Sequence, residues 1–255
     1  MFRYFKRKPR QFEIRDDDTF LVAYPKSGIT WLRFLLGNYF AEGKCDFSNS
    51  HLVIPDIHYN PEYCSQIVGP RLIKSHMPYT ADYPKVIYLV RDGRDVAVSY
   101  FYYLKKYRRI APEITFMEFI TEFNAGKIDQ FGHWGEHVTS WVDPQNSNLL
   151  LIRYEDMKDD TGQVLEKVLT FSGYKIDKQK INMAIEASSF ERMRRSEEEQ
   201  GRNNELFSNS DQSIPFVRQG EKGQWQQYFD QFLLDEFIKH HGIALSQANY
   251  PLGQE

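Results

Sequence analysis

Four short apolar runs, separated by stretches with helical patterns, constrain the fold of this chain more than any other feature. The runs are TFLVAY (19–24), RLIKSH (71–76), VIYLV (86–90) and NLLLIRY (148–154). Runs that are apolar along their length, rather than alternating, are typical of strands buried on both faces of a parallel sheet. Helical patterns lie between and after them, at 29–43, 95–107, 115–126, 133–142, 161–173, 177–187 and 230–241. We therefore predict an α/β fold: a single three-layer domain with a central parallel sheet and helices on both faces.

One stretch interrupts this pattern. The segment RRSEEEQGRNNELFSNSDQSIP (194–215) is polar and rich in Asn and Ser, which predicts a mobile loop reaching about residue 217. Its composition fits a lid that closes over a ligand and a plain surface insertion equally well. The 255 residues suffice for one sizeable core. We predict a flexible charged segment at 1–17 and one folded domain at 18–255.

Charge and cysteine content limit the partners of the protein. A net charge of -3 gives no bulk attraction to nucleic acid or to an acidic membrane, so an anion site must be a local cluster of basic groups. No stretch has the length of a membrane span, and the N-terminus lacks the apolar segment of a signal peptide. Cys45 and Cys64 fit a reducing compartment with buried thiols. We expect a cytoplasmic protein that binds a small molecule, without nucleic acid or stable membrane association.

The loop YPKSGITW (24–31) joins the first apolar run to a helix and resembles a phosphate-binding loop. Backbone N–H groups and the partial positive charge of a helix N-terminus favour an anion in such a strand–loop–helix unit. The loop adds a cation (Lys26), two hydroxyl groups (Ser27 and Thr30) and a flexible glycine (Gly28). Phe20 and Pro25 stand where a nucleoside-triphosphatase loop has glycines, so a triphosphate loop of that kind fits poorly. An ordinary strand–helix turn is the alternative.

Further basic residues follow the other predicted strands. Arg91 ends the run in YLVRDGRDVAVSY, and Ser99 lies about two helical turns beyond it. An arginine and a hydroxyl group at a sheet edge form a reasonable second phosphate site, although Arg91 could instead pair with Asp92 or Asp95. RLIKSHMP and FVRQGEKGQW bring further candidate groups, namely Lys74, His76, Arg218 and Gly220. Because parallel strands end at the same edge, we expect the basic groups that follow them to converge there.

Taken together, these segments resemble the cytosolic sulfotransferase family. YPKSGITW resembles its 5′-phosphosulfate loop, YLVRDGRDVAVSYFYYLK its 3′-phosphate-binding strand and helix, and RQGEKGQW its C-terminal phosphate loop. KSHMP, GHWGEHVTSWV, IRYEDMKDD and SSFERM occur in the family's order. The resemblance runs from about residue 18 to residue 240, and it makes 18–255 the sulfotransferase domain.

The resemblance implies transfer of a sulfonate group from 3′-phosphoadenosine 5′-phosphosulfate (PAPS) to a hydroxyl or amine of a small-molecule acceptor. It implies a set of residues that bind this cosubstrate: Lys26, Ser27, Gly28, Ile29, Thr30, Trp31, Arg91, Ser99, Tyr154, Ser188, Phe190, Arg218, Gln219 and Gly220. Trp31 and Phe190 would sandwich the adenine, and Tyr154 and Ser188 would meet its polar edge. Core packing or capping is the alternative for these four residues.

The same resemblance implies three catalytic residues. His76 is the candidate general base, because an unperturbed imidazole titrates near pH ~6.5. Lys26 would stabilise charge on the leaving group, and Lys74 would neutralise the transferring sulfonate. Positioning and electrostatics should dominate, as in phosphoryl transfer, and we expect no metal ion.

The sequence departs from the family pattern in three ways. Ile29 stands where threonine is usual, and Gln219 where lysine or arginine is common, so each phosphate site lacks one donor. The family's short dimerisation pattern falls on mismatched residues: Gln226, Asp230, Gln231 and Asp235. The oligomeric state therefore stays open.

Three other functions are suggested by parts of the sequence. A nucleotide kinase would use LLLIRYED to hold Mg²⁺, but Arg153 and Tyr154 separate the strand from its acidic residues. A metallohydrolase is suggested by HWGEH (133–137), which matches an inverted zinc-protease motif but lacks an apparent third ligand. A catalytically inactive nucleotide-binding protein would not need both Lys26 and His76.

The acceptor is not identified by the sequence. SYFYYLKKY and the segment 51–66, which contains His51, His58, Tyr59 and Tyr63, could line an apolar acceptor pocket. Aromatic residues at helical spacing are more often part of the core.

Overall fold

The computed structural model of the protein describes residues 12–142 and 147–253. Its centre is a sheet of four parallel strands in the order β2-β1-β3-β4. The strands are β1 (Thr19–Val22), β2 (Leu72–Ser75), β3 (Val86–Val90) and β4 (Leu149–Arg153). Each strand lies within one of the four predicted apolar runs. The predicted parallel sheet is therefore confirmed.

Helices cover both faces of this sheet. In the described residues they are α1 (Ile29–Phe40), α2 (Ser50–Val53), α3 (Pro61–Gln66), α4 (Gly93–Lys106), α5 (Phe116–Asn124), α6 (Trp134–Trp141), α7 (Tyr154–Asp159), α8 (Thr161–Phe171), α9 (Lys178–Ala187), α10 (Phe190–Gln200) and α11 (Gln231–Gln247). Short 3₁₀ turns occupy Gly201–Asn203 and Gln224–Gln227.

Alternate residues of β1, and Ala23 just after it, belong to two separate apolar cores. Phe20 and Val22 pack with side chains from α4, α5, α6 and α11. Leu21 and Ala23 pack on the opposite face with side chains from α1, α8 and α9. All four side chains are fully buried, and each larger one contributes on the order of 1.5–3 kcal/mol. Burial on both faces explains why the strand sequence is apolar without alternation, and the three-layer prediction is confirmed.

Two helices begin or end at residues other than those predicted, because of local backbone angles or a capping side chain. The first helix was predicted to end at Gly43 but ends at Phe40, because Glu42 and Gly43 both adopt positive φ values (51° and 78°). The helix predicted from residue 95 begins at Gly93, since the side chain of Asp92 accepts a hydrogen bond from the backbone N–H of Arg94.

The predicted loop at 194–217 begins as a helix. Helix α10 continues to Gln200, so the first seven residues of the polar stretch are helical. Its N-terminus is capped by Ser189, and it buries Met193 and Glu197 among mainly charged residues. Phe207 in the following turns is fully buried against Phe47. The segment thus packs against the domain, and its role as a lid stays a prediction.

Three further sequence expectations concern the N-terminal segment, membrane spans and the two cysteines. Residues 1–11 of the predicted flexible segment lie outside the described residues. Across the described part of the chain, no helix combines the length and the hydrophobicity needed to cross a membrane. Cys45 and Cys64 are both buried and unpaired with each other.

Candidate active site

Three parallel strands deliver the candidate residues to one edge of the sheet. The loop that contains Lys26 follows β1, His76 follows β2, and Arg91 follows β3. The central strand β1 pairs with both β2 and β3, with Val22 opposite Ser75 on one side and Tyr88 on the other. These loops therefore leave the sheet next to one another, at the edge where open α/β sheets bind ligands.

The loop after β1 has the geometry of an anion site. Lys26 and Gly28 both adopt positive φ values (72° and 100°), so the chain turns sharply before α1 begins at Ile29. A Cβ at Gly28 would lie 2.5 Å from the ring of Tyr154, so only glycine fits there. The hydroxyl of Ser27 is buried and has no hydrogen-bond partner within the described residues. A buried donor of this kind at a helix N-terminus is suited to a bound anion.

Two residues of this loop differ in what their side chains do. Ile29 is buried in the apolar core on the α1 face of the sheet, so only its backbone N–H can serve an anion. Thr30 is half-buried in the first turn of α1 and keeps a hydroxyl close to the loop.

Lys26 lies between two aromatic rings. Its Nζ is 4.5 Å from the centroid of the Tyr103 ring and 4.6 Å from that of Phe216. Burial, together with the positive charges of Arg91 and Arg218, lowers the pKa of Lys26 to about 7. A site that holds several cations at this cost is prepared for negative charge, which would raise the pKa again.

A second cluster of donors surrounds Arg91 and Arg218. Arg91 Nη2 donates to the carbonyl oxygen of Glu221 at 2.7 Å, while its buried Nε has no partner within the described residues. Arg218 donates to the side-chain oxygens of Gln219 and Gln224, each at 2.6 Å. The guanidinium groups therefore lie beside the loop that the sequence predicted for the 3′-phosphate.

Ser99 connects the two clusters. It lines one cleft with Lys26 and Arg218, and the other lining residues are Tyr102, Tyr103, Lys106, Pro215 and Phe216. Pro215, Phe216 and Arg218 thus form part of the wall of this cleft.

Asp95, which sequence reasoning treated only as a possible partner of Arg91, holds the loop at 218–225 in place. Its two carboxylate oxygens accept the backbone N–H groups of Gly223 and Trp225, at 2.8 and 2.9 Å. It also lies 3.4 Å from Arg91 Nη2. The suggested Arg91–Asp95 pair therefore exists, and it is part of the clamp that positions the second cluster.

The residues predicted to surround adenine lie near the starts of α1, α7 and α10 and at the end of α9. Trp31 Nε1 donates to the carbonyl oxygen of Ser188 at 3.1 Å, and its ring meets the Tyr154 ring edge-on, 5.8 Å between centroids. Phe190 contacts Gly220, where a Cβ would lie 2.8 Å from its ring. Gly220 also has a positive φ of 67°.

Two hydroxyl groups of this set already have protein partners. Tyr154 donates to the carbonyl oxygen of Gly220 at 2.9 Å, and the Ser188 hydroxyl accepts from the Asn38 side chain at 3.1 Å. The ring of Tyr154 lies 4.4 Å from the Arg91 guanidinium carbon. Tyr154 thus links the start of α7 to the Gly220 loop, and Ser188 links the end of α9 to α1. Their role in binding adenine stays a prediction.

The two candidate catalytic residues after β2 differ in their electrostatic surroundings. Lys74 Nζ donates to Asp56 Oδ2 at 2.5 Å in a buried ion pair, which the sequence did not reveal. His76 Nδ1 lies 2.6 Å from the carbonyl oxygen of Ala23. A carbonyl only accepts, so Nδ1 carries the proton and Nε2 is the basic nitrogen. Burial, helped by the charge on Lys74, holds the pKa of His76 well below its ordinary value, so the ring is neutral.

Aromatic side chains border His76. The ring of Phe131 lies 5.3 Å from His76 and 5.1 Å from His58, centroid to centroid. Of the residues suggested for an acceptor pocket, His58 is next to His76, whereas Tyr63 donates to the carbonyl oxygen of Leu52. The others, His51 and Tyr59, are exposed.

The histidines of HWGEH do not share a site. His137 is buried and lies within hydrogen-bond distance of Tyr88 and of the carbonyl oxygen of His76. The His133 ring instead packs against His241, 4.3 Å between centroids. Within 12–142 and 147–253, no group of three or more His, Cys, Asp or Glu side chains is arranged to hold a metal ion.

The sheet and the groups at its edge indicate a nucleotide-binding protein. An open parallel sheet with two clusters of cationic and hydroxyl groups at its carboxyl edge is an arrangement that binds phosphorylated nucleotides. The chain belongs to the sulfotransferase family, because a family model described as "Sulfotransferase domain" matches residues 16–247.

Individual relatives agree with this membership. Sulfotransferase 1 family member D1 of Rattus norvegicus is 32% identical over 264 residues, covering 96% of this chain and 88% of the relative. A mouse sulfotransferase, SULT7A1, solved in complex with PAP, is 28% identical with a TM-score of 0.73, covering 94% of this chain and 91% of its own. A retinol dehydratase structure with a TM-score of 0.74 and 22% identity covers 92% of this chain and 82% of its own, and supports the fold. The protein is a PAPS-dependent sulfotransferase, and the kinase alternative is not favoured.

Proposed function

We propose that the cleft between Lys26 and Arg218 holds the two phosphate ends of PAPS, and that His76 Nε2 removes the proton of an acceptor hydroxyl. One observation carries this proposal. The carbonyl of Ala23 fixes the tautomer of His76, and it belongs to the residue just after β1, three positions before Lys26. The base and the loop cation are thus held by the same short stretch of backbone.

Donor groups in the cleft fit such a ligand. In the part of the chain that the structure describes, the hydroxyl of Ser27 and the Nε of Arg91 are buried donors without a partner, and both are suited to anionic oxygens. Lys26, Ser27, Gly28, Ile29 and Thr30 would serve the 5′-phosphate, with Ile29 acting through its backbone. The second cluster would serve the 3′-phosphate through Arg91, Ser99, Arg218, Gln219 and Gly220. Trp31, Tyr154, Ser188 and Phe190 would surround the adenine.

The residues would act together during transfer. The acceptor oxygen bonds to sulfur as the bond from sulfur to the 5′-phosphate oxygen breaks, and the leaving group is adenosine 3′,5′-bisphosphate (PAP). His76 Nε2 takes the hydroxyl proton, so it ends as an imidazolium stabilised by its Nδ1–H bond to Ala23. Lys26 and the loop amides stabilise the charge that develops on the leaving phosphate.

The ion pair with Asp56 would reduce the electrostatic effect of Lys74 on the sulfonate. Its ammonium is paired with Asp56, so the two groups together present a small net charge to the sulfonate. We propose that Lys74 orients a sulfonate oxygen by hydrogen bonding, in addition to its electrostatic effect.

The proposed acceptor is a small apolar molecule that carries a hydroxyl group. The rings of Phe131 and His58 next to the base support this, as do the names of relatives. A 3-beta-hydroxysteroid sulfotransferase of Cavia porcellus is 30% identical and covers 94% of this chain. Buried unpaired Cys45 and Cys64 support the proposed cytoplasmic location.

We also propose that residues 201–217 open to admit the donor. Phe216 covers Lys26, and Glu197 accepts the backbone N–H groups of Phe216 and Val217 at 2.6 and 2.8 Å. Hydrogen exchange at these two amides, measured with and without PAP, reports this motion. Identical exchange in both states would contradict a lid.

The proposal is tested with purified protein, PAPS and a panel of phenols, alcohols and amines. We expect sulfonated product with wild type, and a loss of at least about 10²-fold in kcat with His76→Ala. Calorimetry should show that this variant still binds PAP without added metal. His240→Ala, which changes an exposed histidine on α11, is the matched control. Near-normal turnover by His76→Ala would remove His76 from the mechanism, and tighter binding of Mg-ATP than of PAP would favour a kinase.

A further inference from the structure

Two other histidines hold the backbone of His76. The backbone N–H of His76 donates to His58 Nε2 at 2.9 Å. On the other side, His137 Nε2 lies 3.1 Å from the carbonyl oxygen of His76. With Nδ1 bound to Ala23, three polar groups of His76 have fixed partners. The direction in which Nε2 faces is therefore set by contacts from three separate parts of the chain.

His58 reaches this position on a short segment that pairs with the free side of β2. Lys74 N donates to the carbonyl oxygen of Pro55 at 2.8 Å, and Ile57 N donates to that of Lys74 at 3.2 Å. Asp56 accepts from Lys74 through one carboxylate oxygen and from the backbone N–H of His58, at 2.9 Å, through the other. One segment thus supplies the counterion of Lys74 and the acceptor for His76.

The contact between His58 and His76 requires a neutral His58. A backbone N–H only donates, so His58 Nε2 must be unprotonated and its proton must lie on Nδ1. An imidazolium would present N–H to N–H and lose the bond. Asp56 and Lys74 are the charged groups that face His58, with neutral His76 beside it and the apolar Phe131 ring close by. Burial keeps the pKa of His58 below its ordinary value, so the neutral form prevails at pH 7.

We propose that His58 is a positioning residue for His76: its neutral imidazole accepts the backbone N–H of His76 and thereby directs the basic nitrogen toward the acceptor. This inference rests on the proposed role of His76 as general base. It adds a residue outside the phosphate-binding loops, from a segment that the sequence linked only to an acceptor pocket. The rate of sulfonate transfer then depends on the neutral form of two histidines rather than one.

Two substitutions separate the hydrogen bond from the ring. In His58→Gln, the amide oxygen reaches about as far as Nε2 and can accept the same N–H without titrating. In His58→Phe, the ring remains but the acceptor is lost. We expect His58→Phe to lower the single-turnover rate of sulfonate transfer by about 2- to 10-fold, the range that one hydrogen bond supports. His58→Gln should recover most of that loss, while the Kd for PAP stays within about 2-fold in both variants.

The pH profile gives a readout that a purely structural role would not change. As the pH falls through the pKa values of both histidines, the logarithm of the wild-type transfer rate should fall with a slope steeper than about 1 per pH unit, because protonating His58 adds its loss of about 2- to 10-fold to the loss caused by protonating His76. In His58→Gln the slope should stay at about 1. His240→Phe, on the exposed face of α11, should keep the wild-type profile.

The possible results distinguish a failure of the role of His58 from a failure of the proposed function. A wild-type rate and slope in both His58 variants would overturn the inference, as would equal losses in Gln and Phe with an unchanged slope. If His58→Phe fails to fold, the slope of His58→Gln alone decides the question. Full activity in His76→Ala would instead defeat the proposed function. An inactive His76→Ala combined with wild-type His58 variants would defeat only the role of His58.

Discussion

Replacing Gly28 by alanine tests the geometry of the anion loop. At φ 100° an alanine is strained by about 1–3 kcal/mol. Its Cβ would also lie 2.5 Å from Tyr154 Cδ2, and moving that ring disturbs its hydrogen bond to Gly220 and its contact with Arg91. Overpacking of this kind costs about 1–3 kcal/mol more. We expect Gly28→Ala to lower the free energy of unfolding by about 2–6 kcal/mol in total.

Gly173 is the matched control. It also has a positive φ, 81°, but a Cβ there meets nothing within 4 Å. Gly173→Ala therefore carries the strain without the contact. Urea unfolding gives both free energies, and calorimetry gives the affinity for PAP, which should fall by at least about 10-fold only in Gly28→Ala. Equal stability losses in the two variants, with unchanged PAP affinity in Gly28→Ala, would refute the geometry.

Two further predictions concern charge. In the free protein the pKa of Lys26 is lowered to about 7, and a bound anion raises it again. The Kd for PAP, measured by calorimetric titration, should therefore be nearly constant below pH 7 and rise above it. Lys26→Met should remove this part of the pH dependence. A wild-type Kd that is flat from pH 6 to about 9 would contradict this linkage. Asp56→Asn should lower the free energy of unfolding, measured in urea, by about 3–5 kcal/mol, because it leaves Lys74 buried without its counterion. Glu236→Gln, which removes an exposed ion pair with Lys239, should change that free energy by less than about 1 kcal/mol. A cost for Asp56→Asn as small as that of Glu236→Gln would show that the pair does not matter.

The sheet could be predicted from sequence because its signal is local. Each strand is apolar along most of its length, and β1 is buried on both faces, so that Phe20 and Leu21 enter opposite cores. Helix α10 was missed because most of its side chains are charged and only Met193 and Glu197 are buried. Its formation depends on the Ser189 cap and on packing against distant residues, which a polar composition does not reveal.

The cationic residues of the candidate site could also be predicted, whereas the carboxylates that position them could not. Asp95 looks like an ordinary acidic residue in the first turn of a helix, but it accepts two backbone N–H groups from a loop about 130 residues further along the chain. Asp56 and Glu197 likewise have partners that only the tertiary structure identifies. A sequence shows which residues can bind an anion, but not which residues hold them in place.

A calorimetric comparison of PAP with adenosine 5′-phosphate, which lacks the 3′-phosphate, tests most directly whether the second cationic cluster binds the 3′-phosphate. Wild type should bind PAP much more tightly, Arg218→Gln should narrow that difference by about 10-fold or more, and Lys26→Met should weaken both ligands alike. An affinity difference that Arg218→Gln leaves unchanged would contradict the claim that two separate cationic clusters hold the two ends of one nucleotide.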